Sequence, residues 1–146
     1  MVLTDGDRIR NLLGAYCDLI DQGDHAGVGA LFGTVGVLAA EDGTVIARGH
    51  EAIADFYART TKRHDGSPRT KHLVTNTVLD PEDDGSVLAR SSFLVLQATA
   101  DLPLQPIIAG RYVDRFVPDG TGGWRWAERR FTADLVGHLS HHLGQL

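Results

Sequence analysis

The amino-acid sequence predicts an α+β protein. Helical periodicity is confined to the part of the chain before Arg63, whereas alternating apolar residues broken by turn sequences fill the remainder. The later apolar runs also follow one another without intervening helices, joined by PEDDG and PDGTGG, as antiparallel neighbours are. Three helices ahead of a strongly curved, mostly antiparallel sheet would make a cone-shaped α+β barrel. Its open end would be lined by both layers, the kind of concave, apolar place where small molecules bind.

The elements follow in order. Ile9, Leu12, Leu13, Tyr16, Leu19 and Ile20 repeat at helical spacing, with Thr4 or Asp5 placed to cap the start and Gly23 to end the helix. Asp24 caps a short second helix that carries Val28, Ala30, Leu31 and Phe32. After Gly33, Val35 to Ala40 and Val45 to Ala47 read as strands around a turn at Glu41-Asp42-Gly43. A third helix after Gly49 sets Ala52, Ile53, Phe56 and Tyr57 on one face, with Lys62 and Arg63 near its end. HDGSPR (64–69) is loop by composition. Four strands complete the chain: Thr70–Leu79, Val87–Ala98, Ile107–Val117 and Trp124–Thr132. TADLPLQP (99–106) is expected as a longer connection, and Gly110 as a bend. No repeat or linker divides the sequence, and 1–146 is expected to be a single domain.

Composition narrows the function. Nineteen acidic against fourteen basic residues give a formal charge of −5, and the basic residues are scattered, which weighs against nucleic acid or an anionic membrane as partner. Cys17 is the only cysteine, so no intramolecular disulfide forms. The N-terminus has no signal-like apolar stretch, and no run approaches the ~20 apolar residues that span a bilayer. A cytoplasmic protein is expected. Gly120, Gly122 and Gly123 lie in a hairpin loop without the strand-to-helix context of a phosphate loop. His138, His141 and His142 invite a metal reading, but a terminal segment rarely builds a closed site. No metal and no cofactor is expected.

The chemistry centres on KHLVTN (71–76). Alternation places His72, Val74, Asn76 and Val78 on one face and Lys71, Leu73, Thr75, Thr77 and Leu79 on the other. His72 is either a hydrogen-bonded core histidine or a proton acceptor facing a pocket. Asp21 stands where the first helix runs out, next to the negative end of its dipole; it either caps a turn in solvent or turns inward. Tyr16 belongs to the apolar stripe, and inside a protein its hydroxyl needs a partner. Asn76 could bind a polar group of a substrate or satisfy a backbone amide, the second being favoured. Arg129 alternates with Trp124, Trp126 and Glu128 and shares a face with Arg125, Ala127 and Phe131. Turned inward, it would bind a carboxylate or steady a developing anion.

Taken in order, IRNLLGAYCDLIDQGDHAGVGALF, Gly49, His72 with Asn76, GRYVDRF (110–116) and WRWAERR (124–130) resemble the nuclear transport factor 2-like superfamily. Within it, the pattern resembles the SnoaL-like branch that holds scytalone dehydratase, bile-acid 7α-dehydratase and hexachlorocyclohexane dehydrochlorinase. The resemblance implies a cofactor-independent lyase of the dehydratase type, or an isomerase, acting on a hydrophobic small molecule. His72 would take a proton from carbon, Asp21 would orient His72, Tyr16 would assist the leaving group, and Arg129 would reach the cavity from the last strand. A homo-oligomer, dimer or trimer, is implied as well. The second histidine of scytalone dehydratase has no counterpart on the Val87–Ala98 strand. The alternatives are a non-catalytic small-molecule-binding or oligomerisation module of the same fold, and a polyketide cyclase or epoxide hydrolase. An epoxide hydrolase should show a further inward carboxylate beside Arg129.

Overall fold

The computed structural model describes residues 1–144. Helix α1 (Asp5–Gln22) opens with a reciprocal cap: Thr4 Oγ1 accepts from the Asp7 amide at 3.1 Å, and Asp7 Oδ2 accepts from the Thr4 amide at 2.9 Å. Its buried stripe is Ile9, Leu13, Tyr16, Cys17 and Ile20. It ends at Gly23 in the left-handed conformation, where the amides of Gly23 and Asp24 bond back to the Ile20 and Leu19 carbonyls. Helix α2 (His25–Ala30) starts at once, with the Asp24 carboxylate accepting from the Gly27 amide at 2.9 Å. Strands β1 (Val37–Ala40) and β2 (Val45–Arg48) form a hairpin, and helix α3 (His50–Thr60) follows.

The long strands are β3 (Thr70–Pro81), β4 (Val87–Thr99), β5 (Leu102–Pro118) and β6 (Trp124–Val136). One six-stranded sheet results, in the order β2-β1-β6-β5-β4-β3. Only the β1–β6 pairing is parallel, and the curled sheet does not close, β2 and β3 being its edges. No described helix is long and apolar enough to cross a membrane. The chain from Leu102 to Pro106, expected as connection, is strand. Register shifts between Val95 and Leu96 and between Gln97 and Thr99 interrupt the ladder there, which lets Pro103 and Pro106 sit in it.

Bulges curl the sheet and also rearrange its faces. In β3 the register jumps between Thr75 and Val78, and in β6 Phe116 pairs with Trp126 while Arg115 pairs with Glu128. Each extra residue reverses the alternation beyond it. Gly110 sits at another register shift, between Ala109 and Gly110. A Cβ there would lie 1.9 Å from the Thr132 carbonyl oxygen and 2.8 Å from the Phe93 ring, so only glycine allows β5 and β6 to approach this closely. Trp126 anchors the core beneath the helices, stacked on Phe32 at 5.3 Å and against Phe116 at 4.7 Å.

Candidate active site

The last turns of α1 and the start of β3 meet at Asp21 and His72. Asp21 Oδ1 lies 2.6 Å from His72 Nδ1 and accepts the Thr70 hydroxyl at 2.8 Å; Oδ2 accepts the His72 backbone amide at 2.9 Å. The side chains are 10% and 7% exposed, so Asp21 is turned inward and is not a solvated cap. Burial works against its charge, but the bonds from His72 and Thr70 outweigh it and hold the Asp21 pKa below the usual carboxylate value. A carboxylate only accepts. Neutral His72 therefore carries its hydrogen on Nδ1, and Nε2 keeps the lone pair.

His72 lines a cavity of about 420 Å³ at the mouth of the cone. The walls are largely apolar, with Ile20, Phe56, Val95, Ile108 and Phe131 among them. Three tyrosines complete the surroundings of the Asp21–His72 pair. Tyr16 is buried, stands edge-on to His72 with ring centres 6.3 Å apart, and places its hydroxyl 3.2 Å from that of Tyr57. Tyr112 stands edge-on to Tyr16 at 6.2 Å. Burial drives the pKa values of Tyr57 and Tyr112 well above that of free tyrosine, so both hydroxyls stay protonated.

Two expected substrate-binding residues lie elsewhere. Asn76 is exposed, on the β3 bulge, with a positive φ of 55°. With Thr77 it faces Ser91 as two residues against one, and Thr77, not Asn76, turns in, bonding Ser91 Oγ at 3.0 Å. Asparagine suits the site because its short polar side chain tolerates the left-handed backbone. Asn76→Gly is expected to change stability by less than about 0.5 kcal/mol, and Asn76→Val to cost about 1–2 kcal/mol. Urea unfolding of the two variants checks this.

Arg129 turns inward but does not line the cavity. Its guanidinium is wholly buried behind the tyrosines, paired in fork geometry with Asp114 at 2.7 and 2.9 Å. It lies 3.6 Å from the Tyr112 ring centre and 4.3 Å from that of Tyr16. The bulge at Ala127 brings Trp126 and Arg129 to the same interior, three positions apart, where strict alternation would separate them. Asp114 is the inward carboxylate that an epoxide hydrolase requires, but it too is fully buried and stands behind the wall, out of reach of cavity water.

Alternation also missed contributors. Tyr57 was visible only as part of the α3 apolar face, and Tyr112 as one residue of GRYVDRF. His142 lines the cavity from the C-terminal segment, 6.1 Å from the His72 ring. The available signal was local: Leu139, His142 and Leu143 share a one-turn spacing, and all three face the cavity. Among the described residues no group of three potential ligands could hold a metal ion.

Residues 1–130 match the SnoaL-like domain family, within the nuclear transport factor 2-like superfamily, and the chain belongs to it. A variant of Rv3472 from Mycobacterium tuberculosis, a protein of unknown function, is similar at 28% identity and a TM-score of 0.71, over 88% of this chain and 76% of that one. ActVI-ORFA of Streptomyces coelicolor superposes with a TM-score of 0.72 at 23% identity, covering 87% of this chain and 95% of its own. A candidate scytalone dehydratase of Novosphingobium aromaticivorans gives 0.68 at 19%, over 88% and 83%. The last two likenesses concern the fold. No curated protein matches the sequence.

Proposed function

We propose that the protein is a cofactor-independent lyase of the dehydratase type acting on an apolar small molecule that carries a β-hydroxy ketone. One observation carries the reading: His72 is fixed through Nδ1 by a buried carboxylate while its ring borders an apolar cavity. This arrangement suits a general base, because the carboxylate sets the tautomer and steadies the imidazolium that forms.

In the proposed reaction, Nε2 takes the proton from the carbon alpha to the carbonyl. The C–H electron pair becomes the new C=C bond as the β carbon–oxygen bond breaks. The departing oxygen takes a proton from Tyr16, whose hydroxyl is already paired with that of Tyr57. Water leaves, and the imidazolium returns its proton to the phenolate, so no redox partner is required. Arg129 touches no ligand in this scheme; it holds the faces of Tyr16 and Tyr112 in place. Had the abstracted proton gone back to a different carbon, the same site would act as an isomerase.

The test uses 3-hydroxy-1-tetralone, which yields 1-naphthol on loss of water, together with related apolar β-hydroxy ketones. Naphthol fluorescence should rise with the wild-type protein in buffer containing a chelator. Formation no faster than the uncatalysed background across the set would sink the lyase reading.

A further inference from the structure

We propose that His142 is a second working imidazole of the cavity, a neutral N–H donor that binds the carbonyl oxygen of the ligand while His72 handles the proton on the adjacent carbon. The inference rests on the cavity being the ligand site of the proposed reaction.

The C-terminal segment is tied down over the cavity mouth by its main chain. The Gly137 amide donates to the Ile107 carbonyl at 2.8 Å, the Lys62 amide to the His142 carbonyl at 2.8 Å, and the Gly144 amide to the Thr60 carbonyl at 2.7 Å. Gln97 Nε2 donates to the His141 carbonyl at 3.0 Å. These bonds come from β5, β4 and the chain around the end of α3, so the position of His142 is set from three sides. The residue is 8% exposed, nearly as buried as the dyad.

Nothing in the packing calls for a histidine here. Leu139 and Leu143 beside it line the same cavity, and a third apolar side chain would fill the place without desolvating two nitrogens. His142 Nδ1 is sealed from solvent and has no hydrogen-bond partner among the described residues. An orphaned N–H is the rarer and costlier state, so the ring hydrogen belongs on Nε2. By elimination Nε2 is also the nitrogen the cavity reaches. Burial, and then the neighbouring His72, push the His142 pKa down to about 4, against a smaller opposing effect of Asp21. The ring is therefore a neutral donor at pH 7, and its task differs from that of His72, which the Asp21 carboxylate supports as a base. A neutral imidazole can polarise a carbonyl by hydrogen bonding alone. The α hydrogen and the carbonyl oxygen of one ketone are carried by adjacent carbons. One planar ketone can therefore engage both rings, whose centres are 6.1 Å apart.

The ligand class that follows is a bicyclic or larger apolar ketone, and 1-tetralone with its hydrocarbon counterpart tetralin separates oxygen recognition from packing. Wild-type protein should bind tetralone in preference to tetralin. His142→Phe should weaken tetralone about tenfold, the equivalent of one lost hydrogen bond, and leave tetralin within about twofold. His142→Gln, whose amide nitrogen falls near the place of Nε2, should recover most of the loss. In the wild type, tetralone should also move the His142 Nε2–H resonance in NMR spectra, a readout that needs no variant. Equal losses for both probes, an unaltered tetralone affinity in His142→Phe, no preference in the wild type, or a silent Nε2–H resonance would each overturn the proposal. Binding alone is read, so this outcome is independent of whether the protein releases naphthol from 3-hydroxy-1-tetralone.

Discussion

His72→Ala should lower naphthol formation from 3-hydroxy-1-tetralone by about 10²–10⁴-fold, the usual worth of a positioned general base. The fold should survive, because the lost ring borders a cavity and is not among the tightly filled core positions. Asp21→Asn should fall in the same range for a different reason. Three donors converge on the Asp21 carboxylate: the Thr70 hydroxyl, the His72 amide and His72 Nδ1. An amide has one acceptor oxygen, and its NH₂ group would confront at least one of these donors. Either the ring turns or its hydrogen moves to Nε2, and both remove the base. The double variant should be little worse than His72→Ala alone, since the two residues act as a unit. Rates close to the product of the two single losses would separate them.

The same carboxylate links stability to pH. Its pKa in the folded protein lies below the unfolded value, because the bonds from His72 and Thr70 exceed the opposing effect of burial. Its contribution is thus complete above the unfolded carboxylate pKa of about 4 and fades as pH falls through the lower folded value. Urea unfolding should show a stability gap between wild type and Asp21→Asn that is wide at pH 6 and narrows in acid.

What could be read in the sequence was whatever obeyed a local period. The α1 stripe and its caps and the order of elements follow from spacing, whereas β3 has apolar residues on both faces and only the family resemblance favoured a cavity-facing His72. For Asp21 the helix C-terminus left a solvated cap and an inward acid both open; the resemblance favoured the second, and Thr70 and His72 hold the carboxylate inward. Two of the failures share one cause. A bulge adds a residue without leaving a composition signal, and it reverses every side chain beyond it. Asn76 therefore faces solvent, and Arg129 joins Trp126 inside. His142 was hidden differently: the one-turn spacing of Leu139, His142 and Leu143 is a single repeat, too short to define an element, and the segment is held by main-chain bonds that any side chain would permit.

Asp114→Ala should be the most destabilising single change, by about 3–5 kcal/mol in urea unfolding, a large part of the 5–15 kcal/mol that typically holds a domain together. It would leave the Arg129 guanidinium wholly buried with no counter-ion. Deprotonation offers no ready escape, since a guanidinium is intrinsically too basic to give up its proton near neutral pH. Guanidinium Nη1 already lacks a partner among the described residues, which leaves no spare acceptor to take up the slack. Replacing both partners with apolar residues, Asp114→Leu with Arg129→Met, should restore most of the lost stability, because the cost lies in the unpaired charge more than in the absent bridge. The double variant should nevertheless form naphthol more slowly than wild type. A flexible methionine cannot reproduce the planar cation whose central carbon now lies 4.3 Å from the Tyr16 ring centre and 3.6 Å from that of Tyr112. Stability regained with turnover still impaired would assign the buried pair to positioning the tyrosine wall. Full recovery of both would make it a replaceable part of the core.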